Sequence, residues 1–229
     1  MQAIILAGGK GIRLKPYTFT LPKPLIPIGE MPILEVLIKQ LKRDGFDKIV
    51  VSVGYLKELI MAFLGTGEKW GVNVCYSCED KPLGTAGPLS LIENLEDNFL
   101  VINGDTLTTL DYRKLLLSHT KNKSVATITT MTREMQLDFG VIENDTSNIF
   151  ENYIEKPKYS FNISIGANIF NKKTLEYIEP NYYIDLPHLI LKLKEKGEKI
   201  MSHPFCGQWI DIGRIGDYET ANDEFIKRK

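Results

Sequence analysis

The stretch Met1-Gln-Ala-Ile-Ile-Leu-Ala-Gly-Gly-Lys-Gly-Ile-Arg13 decides how the rest of the chain is interpreted. Residues 3–7 are an apolar run that predicts a buried strand. The strand leads into Gly8-Gly9-Lys10-Gly11, where a backbone without Cβ atoms can turn sharply and bring its N–H groups close to a phosphate. Arg13 adds a planar guanidinium that matches phosphate oxygens. A strand, a glycine turn and a cation together indicate a polyphosphate site.

This glycine turn matches neither of two common nucleotide loops. It lacks the glycine spacing of the dinucleotide fingerprint, and it has no Gly-Lys-Ser/Thr four residues after a glycine, as a P-loop requires. If only the glycines are considered, a tight turn after the first strand with no ligand is an alternative interpretation. Leu21-Pro22-Lys23-Pro24 argues against it, because this segment supplies a second cation on a proline-stiffened backbone.

The composition predicts one sizeable domain. The chain has 229 residues without a visible linker, and 43% of them are hydrophobic, which is enough for a core. Its 28 basic and 29 acidic residues give a net charge of −1, which argues against a nucleic-acid partner but allows a local basic pocket. No apolar stretch has membrane-spanning length, and a strand begins the chain. We therefore expect no membrane partner, no signal peptide and a cytoplasmic location; a homo-oligomer is left open.

The cysteines and histidines do not form a recognisable metal or redox motif. Cys75 and Cys78 have C-x-x-C spacing, but residues three apart on the predicted strand 72–77 point to opposite faces. A second pair that would complete a zinc site is absent from the sequence. We interpret both cysteines as packing residues, and the three scattered histidines as structural or surface residues.

Strands and helices alternate through the first half of the chain. The predicted strands are 3–7, 48–53, 72–77 and 99–103, and the predicted helices are 32–44, 56–63 and 85–92, with Thr85 as the cap of the last. This alternation predicts a mostly parallel sheet covered on both faces. Gly8, Glu79 and Asp105 each follow a strand, so we expect them at one edge, where such sheets bind ligands.

The second half of the chain is richer in strands. The predicted strands are 124–130, 139–143, 149–155 and 163–170, and the predicted helices are 185–196 and 216–227. No internal repeat or low-complexity tract interrupts either half.

Two aspartates are candidate ligands of Mg²⁺. Asp105 ends an apolar strand beside the phosphate loop. Asp211 lies between apolar neighbours in Trp-Ile-Asp-Ile-Gly, where a charge needs a partner. Mg²⁺ prefers one or two carboxylates together with substrate phosphates. The alternative for each aspartate is a turn or capping role.

Two further segments are candidates for substrate contacts. In Glu155-Lys156-Pro157, the lysine suits a phosphate of a second substrate and the glutamate suits sugar hydroxyls, provided that the strand ends or bulges there. A solvated ion pair is the alternative. The loop 79–87 contains Gly84, which lets the backbone approach a flat base, and the helix start behind it favours negative charge. A plain strand–helix connection is the alternative.

Six motifs in order resemble the sugar-phosphate nucleotidyltransferase family, which joins a nucleoside triphosphate to a sugar 1-phosphate and releases pyrophosphate. The motifs are Gly8–Leu14, Pro22–Pro24, Leu83–Gly87, Gly104–Asp105, Glu155–Pro157 and Trp209–Gly213. Each is modest alone, but six in the family's order over nearly the whole chain are specific. Ile12 departs from the usual Thr, and Ser164-Ile165-Gly166 departs from Asn-Ala-Gly. Since the C-terminal β-helix of longer members is not in the sequence, an added acetyltransferase activity is not expected.

The resemblance implies a Rossmann-like α/β fold, in which helices flank a mostly parallel mixed sheet and a strand-rich sugar-binding lobe follows. It implies one nucleotidyltransferase domain over residues 1–229, with a nucleotide-binding half at about 1–110 and a sugar-binding half at about 111–229. The implied catalytic residues are Arg13, Lys23 and Asp105; the Mg²⁺ ligands are Asp105 and Asp211; the nucleotide-binding residues are Leu6, Ala7, Gly8, Gly9, Glu79, Gly84 and Thr85; and the substrate-binding residues are Gly140, Glu155, Lys156 and Ser164.

The base of the nucleotide is predicted from Glu79, which we expect to face the edge of the base. An ionised carboxylate only accepts hydrogen bonds, so it favours a base that offers two donors together. Guanine offers N1–H and its amine side by side, whereas uracil and thymine offer one N–H between carbonyls and cytosine offers only its amine. The loop 82–89 also resembles that of mannose-1-phosphate guanylyltransferases. We therefore predict GTP and a mannose-, heptose- or hexosamine-type sugar 1-phosphate.

Several alternatives stay open beside this prediction. Glu79 can point to solvent while backbone groups read the base, and the enzyme can be a thymidylyl-, uridylyl- or cytidylyltransferase. A nucleotide-sugar-binding protein without turnover is a further alternative. The absence of the dinucleotide glycine spacing disfavours a nicotinamide-dependent oxidoreductase.

Overall fold

The computed structural model describes residues 1–213 and 215–226, so the predicted helix end at Lys227 lies outside the described residues. The strands are β1 (Gln2–Ala7), β2 (Pro27–Ile28), β3 (Met31–Pro32), β4 (Lys48–Val53), β5 (Asn73–Cys78), β6 (Asn98–Asn103), β7 (Thr106–Thr108), β8 (Ala126–Gln136), β9 (Val141–Asn144), β10 (Phe150–Ile154), β11 (Lys158–Asn171), β12 (Ile200–Pro204) and β13 (Trp209–Asp211). The α-helices are α1 (Ile33–Arg43), α2 (Lys57–Leu64), α3 (Tyr112–Asn122), α4 (Leu186–Glu195) and α5 (Ile215–Ile226). None of these helices is long and apolar enough to cross a membrane.

A seven-stranded mixed sheet forms the centre of the molecule, in the order β12-β8-β11-β6-β1-β4-β5. The four strands β6, β1, β4 and β5 run parallel, and β12 runs parallel to β8. Only β11, among these seven, runs antiparallel to its neighbours β6 and β8. Because β8, β11 and β12 come from the second half, one sheet runs through both halves. The predicted α/β class with a mostly parallel mixed sheet is confirmed.

Side chains of β1 alternate between two helical layers. Ala3 and Ile5 belong to the apolar cluster under α1, α2 and α3, whereas Ile4 belongs to the cluster under α4. All three are fully buried. Burying a large aliphatic side chain stabilises a fold by about 1.5–3 kcal/mol. A strand covered on both faces therefore reads as a continuous apolar run, which is why the predicted strand begins within one residue of the observed start.

A smaller cluster anchors the loop after β1 to the end of the described chain. Leu14 packs with Leu107, Ile212 and Ala221 of α5 in this cluster. The backbone N–H of Gly29 also donates to Asn222 Oδ1 at 2.8 Å. Strand β13 and helix α5 are thus held beside the glycine turn, although about 200 residues separate them in sequence.

The predicted helix at residues 85–92 is wrong. A short 3₁₀ helix at Gly87–Leu91 replaces it, because Gly87 and Pro88 in this segment disfavour α-helix formation. Thr85 does not cap it either, since its hydroxyl accepts the backbone N–H of Leu186 at 2.8 Å. A partner distant in sequence has overridden the local preference.

The two cysteines of the C-x-x-C spacing are exposed, so their interpretation as packing residues is wrong. Cys75 and Cys78 are free thiols on β5, and β5 is an edge strand with a neighbour on one side only. The histidines are structural or surface residues as predicted, with His119 buried and His188 exposed.

Strands β8 and β11 continue beyond the main sheet as a two-stranded arm. Their pairing runs from Thr130↔Ser164 to Gln136↔Lys158. Strands β9 and β10, which lie between them in sequence, pair with each other as a separate hairpin. On one face of the arm, Met135, Tyr159 and Phe161 are 58%, 38% and 50% exposed. The second half is therefore rich in strands as predicted, but much of it is open to solvent.

Candidate active site

A cavity of about 930 Å³ lies at the carboxyl ends of β1, β4, β5 and β6. A volume of this order suits a nucleotide-sized ligand. Ten predicted site residues line it: Leu6, Ala7, Gly8, Gly9, Arg13, Lys23, Glu79, Gly84, Thr85 and Asp105. The expectation that Gly8, Glu79 and Asp105 lie at one edge of the sheet is confirmed.

The glycine turn after β1 is held by residues outside it. Gly11 has a φ of +60°, and a Cβ there would lie 2.8 Å from Thr18 Cγ2, so glycine is required. The Thr18 hydroxyl donates to the Gly11 carbonyl at 2.9 Å, and the Tyr55 hydroxyl donates to the Thr18 carbonyl at 3.1 Å. Among the described residues, the N–H groups of Gly9 and Lys10 have no hydrogen-bond acceptor. These two donors are free for an anion.

Lys23 and Asp105 form an ion pair in the cavity wall. Lys23 Nζ donates to Asp105 Oδ2, and the two side chains are only 12% and 20% exposed. Pro24 packs against Gly104, where a Cβ would lie 3.3 Å from Pro24 Cγ. The stiff Pro-Lys-Pro segment thus rests on the end of β6. An ammonium has three donors, so Lys23 has donors left for a phosphate.

Strand β13 brings Asp211 to Asp105. In the two-stranded sheet of β7 and β13, Asp211 pairs with Thr106, the residue after Asp105. Burial raises the pKa of the Asp211 carboxyl, and the negative charge of Asp105 raises it further, while two nearby cations oppose both effects. One of these cations is Arg13. A Cβ added at Gly213 would lie 3.4 Å from both Arg13 Nη1 and Asp211 Oδ2, so both side chains approach this glycine.

The two carboxylates fit a divalent cation. Asp105 Oδ1 is buried and has no hydrogen-bond partner among the described residues, which is costly for an acceptor. A cation between the carboxylates would satisfy this oxygen and remove the repulsion that raises the pKa of Asp211. Within residues 1–213 and 215–226, no group of three or more His, Cys, Asp and Glu side chains could hold a metal ion. Substrate phosphates and water would supply the remaining ligands, as is usual for Mg²⁺.

Glu79 shapes the cavity as well as lining it. Its Oε2 accepts the backbone N–H of Leu83 at 2.7 Å, which ties it to the segment Leu83–Gly87, called the 83–87 loop below. Its Oε1 lies 2.5 Å from where a Cβ of Gly8 would be, so Gly8 makes room for the carboxylate. Burial raises the pKa of Glu79, and the Leu83 N–H opposes the rise. Sequence reasoning missed this contact with the loop.

The other predicted site residues are not in the cavity lining. Asp211 is not a lining residue itself, but its carboxylate lies beside Gly213, which lines the cavity. Asp211 is therefore at the edge of the cavity. Gly140, Glu155, Lys156 and Ser164 lie in the arm and its hairpin. Strand β10 ends at Ile154, so the strand ending that these side chains require is present, and Lys156 has a φ of +46°.

Tyr153 connects two of the residues in the hairpin. Its ring packs so closely on Gly140 that any side chain at position 140 would overlap it. Its hydroxyl donates to Glu155 Oε2 at 3.1 Å. Sequence reasoning missed Tyr153, although its position two residues before Glu155 placed both on one face of a strand.

Trp209 is a second residue that sequence reasoning did not assign. Its indole N–H donates to the Ile165 carbonyl at 2.9 Å, within the irregular part of β11. Next to it, Gly166 has a φ of +75° and packs on Asn103, where a Cβ would lie 2.5 Å from the amide nitrogen. Trp209, which is two residues before Asp211, thus fixes β11 against the end of β6. The Trp-x-Asp-x-Gly motif contained the signal, but only the aspartate was given a role.

The sequence matches a family of known proteins over nearly its whole length. The family model described as nucleotidyl transferase matches residues 2–228. A UTP–glucose-1-phosphate uridylyltransferase from Synechocystis is 35% identical over 100% of this chain and 64% of its own length. A mannose-1-phosphate guanyltransferase from Pichia angusta is 34% identical over 95% of this chain and 62% of its own length. The chain thus spans less than two thirds of these curated relatives.

Solved structures share the fold and are covered almost completely. A protein from Bacillus anthracis in complex with sucrose, assigned as a glucose-1-phosphate thymidylyltransferase, has a TM-score of 0.80 and 27% identity over 98% of this chain and 95% of its own. HddC from Yersinia pseudotuberculosis, complexed with GMP-PN, has a TM-score of 0.75 and 28% identity over 98% of this chain and 99% of its own. These similarities agree with the fold described above.

Proposed function

Because the chain belongs to the nucleotidyl transferase family, we propose that it transfers a nucleotidyl group from a nucleoside triphosphate to a sugar 1-phosphate. An oxygen of the sugar 1-phosphate bonds to the α-phosphorus, the bond from that phosphorus to the β-phosphate oxygen breaks, and pyrophosphate leaves. The observation that carries this proposal is the Asp105–Asp211 pair, which stands beside Lys23 and Arg13 at a nucleotide-sized cavity. We propose the cytoplasm as its compartment, because the reaction consumes a nucleoside triphosphate.

The reaction needs positioning and charge stabilisation more than covalent chemistry. The attacking phosphate oxygen is already ionised, so a protein base or nucleophile is not required. The amides of the glycine turn, Lys23 and Arg13 bind the triphosphate oxygens and stabilise charge that moves to the leaving pyrophosphate. Asp105 and Asp211 would hold a divalent cation, for which we propose Mg²⁺ because it favours this ligand set. When bound, the cation would supply further positive charge at the phosphates.

We propose GTP as the nucleotide and a mannose-, heptose- or hexosamine-type sugar 1-phosphate as the acceptor. Glu79 supports GTP, since its carboxylate lines the cavity next to the 83–87 loop and can accept from N1–H and the amine of guanine. The relatives support GTP only in part, because they include both guanyltransferases and a uridylyltransferase. For the sugar half, Glu155 with Tyr153 would bind sugar hydroxyls, while Lys156 would bind the sugar phosphate.

The test is pyrophosphate release from GTP, UTP, dTTP, CTP and ATP, each with a panel of sugar 1-phosphates. We expect GTP to be preferred, and Glu79→Gln to lose much of that preference because the amide replaces one acceptor by a donor. Glu58→Gln is the control, because Glu58 is an exposed acid on α2 and is not among the cavity-lining residues.

Each outcome of this test decides a different part of the proposal. A wild-type preference for UTP or dTTP contradicts the guanine assignment. A GTP preference that survives Glu79→Gln removes Glu79 as the reader of the base. Nucleotide binding without pyrophosphate release for any sugar would favour a binding protein over an enzyme.

A further inference from the structure

A segment of the second half of the chain is hydrogen-bonded to the 83–87 loop. This segment, Tyr182–Asp185, immediately precedes α4 and is called the brace below. The backbone N–H groups of Ala86 and Gly87 both donate to the Ile184 carbonyl, at 2.9 and 3.1 Å, and the Ile184 N–H donates back to the Leu83 carbonyl at 3.0 Å. Three main-chain hydrogen bonds therefore hold the loop and the brace together, although about 100 residues separate them.

Asp185 fixes the middle of the loop through its side chain. Its Oδ1 accepts both the backbone N–H of Thr85, at 3.0 Å, and the Thr85 hydroxyl, at 3.2 Å. Gly84 allows this approach: its φ is +80°, and a Cβ there would lie 2.6 Å from the Ile184 carbonyl oxygen. The glycine and the threonine of the Leu-Gly-Thr-Ala-Gly motif are thus needed at least in part to fit the brace.

Tyr183 extends from the brace into the wall of the cavity. It lines the cavity together with Gly84, Thr85 and Pro88, and its side chain is 56% exposed. Its hydroxyl donates to Asp185 Oδ2 at 2.9 Å, and this bond raises the pKa of the phenol. The ring is therefore accessible to a ligand but restrained in position. In this respect it differs from Tyr182, which is 61% exposed and is not among the lining residues.

We propose that Tyr183 contacts the nucleoside part of the bound nucleotide, and that Asp185 is a positioning residue for both Tyr183 and the 83–87 loop. The inference rests on the proposed function, since it takes the cavity to be a nucleotide site. An aromatic ring offers a flat apolar surface on which a base or ribose can pack, and such contacts tolerate different bases. The second half of the chain then contributes to nucleotide affinity as well as to sugar binding.

The decisive experiment compares two adjacent tyrosines. Dissociation constants for GTP and for UTP are measured by calorimetry, and the KM for nucleotide, the KM for sugar 1-phosphate and kcat are measured by pyrophosphate release. We expect Tyr183→Ala to raise the nucleotide Kd and KM about tenfold, the size of a lost ring contact, with the sugar KM and kcat within about threefold of wild type. Tyr182→Ala is the matched control and is expected to leave all of these constants unchanged. Tyr183→Phe keeps the ring and is expected to have the smaller effect.

The role of Asp185 is tested by the same measurements on two variants. Asp185→Ala removes both contacts to Thr85 and is expected to raise the nucleotide KM while leaving the sugar KM unchanged. Asp185→Asn keeps an oxygen for Thr85 and is expected to restore most of the nucleotide affinity. A general loss of stability would instead lower the active fraction and leave both KM values unchanged.

The outcomes separate this inference from the proposed function. If the wild type is active and Tyr183→Ala binds nucleotide like Tyr182→Ala, the inference is overturned and the proposed function stands. If Asp185→Ala changes kcat alone, Asp185 does not position the loop. If the wild type binds none of the triphosphates tested, the proposed function is overturned, and this inference with it.

Discussion

The site residues of the predicted nucleotide-binding half and those of the predicted sugar-binding half lie in different surroundings. In the nucleotide half, Lys23 and Asp105 are paired in a cavity wall and are mostly buried. In the sugar half, Glu155 and Lys156 are exposed on a hairpin, and Tyr153 beside them is 54% exposed. The first pair lies at the end of a sheet with helices on both faces. The second pair follows strand β10 of the two-stranded β9–β10 hairpin, which helices do not cover in this way.

From this difference we predict that, of the two proposed subsites, the one for the nucleotide is the more completely formed before substrate binds. Residues at the ends of strands such as β1 and β6 are fixed by a core packed on both faces, so the groups proposed to bind phosphate are held in place. The hairpin lacks a core of its own, and a two-stranded unit has little independent stability. We therefore expect the sugar phosphate to complete its own site as it binds, excluding water from the reacting phosphates.

The largest expected effect concerns the preformed subsite. Asp105→Asn and Asp211→Asn keep the side-chain shape but remove the charge that would hold a divalent cation, so we expect each to lower kcat by roughly 100-fold or more. The measurement is kcat as a function of Mg²⁺ concentration, with the thermal midpoint as a check of folding. Asp138→Asn, an exposed acid next to the arm, is the control. Activity within threefold of wild type at limiting Mg²⁺ would show that the metal assignment is wrong.

An intermediate effect is expected where the two halves join. His119 of α3 is buried, and its Nε2 lies 3.0 Å from Asn98 Oδ1 of β6, while its Nδ1 lies 2.8 Å from Thr127 Oγ1 of β8. Burial lowers the pKa of His119 to about 4, below the 6.5 of a free histidine. The unfolded chain therefore binds the proton first as the pH falls, so this histidine contributes stability above pH 6.5 and loses it towards pH 4.

The predicted loss of unfolding free energy between these two pH values is up to about 3 kcal/mol. Chemical denaturation of wild type and His119→Gln at several pH values measures it. Because the variant lacks the titrating group, its free energy of unfolding should depend less on pH than that of the wild type. His188→Gln, at an exposed position of α4, is expected to follow the wild type. Parallel curves for wild type and His119→Gln would exclude His119 as the source of acid sensitivity.

The smallest expected effect concerns the open subsite. Tyr153→Phe removes the hydroxyl that holds Glu155, so we expect the KM for the sugar 1-phosphate to rise several-fold, the size of one hydrogen bond, with the nucleotide KM unchanged. Tyr159→Phe is the matched control, since Tyr159 is a partly exposed tyrosine on the arm. Equal sugar KM values for both variants would contradict the placement of the sugar at this hairpin.

The sequence predicts the bounds of a buried central strand more closely than those of the two strands that form the arm. Strand β4 was predicted at 48–53 and is observed at Lys48–Val53, because its apolar run is covered on both faces. Strands β8 and β11 were predicted to end near residue 130 and to begin near residue 163, but they run on to Gln136 and start at Lys158. Their outer parts are exposed and pair with each other, and such pairing leaves little trace in local hydrophobicity.

For the site, the sequence alone predicts the ligand chemistry, and it correctly predicts the edge of the sheet at which the residues gather. Glycines, Lys23, Arg13 and two aspartates have few uses together other than a phosphate and cation site, and parallel strands place the residues after them at one edge. The tertiary structure alone decided which distant groups meet: Asp211 beside Asp105, Glu79 on the 83–87 loop, and the brace behind that loop. The reason is physical, because local periodicity reports whether a side chain is buried, whereas the identity of its partner depends on packing between segments far apart in the chain.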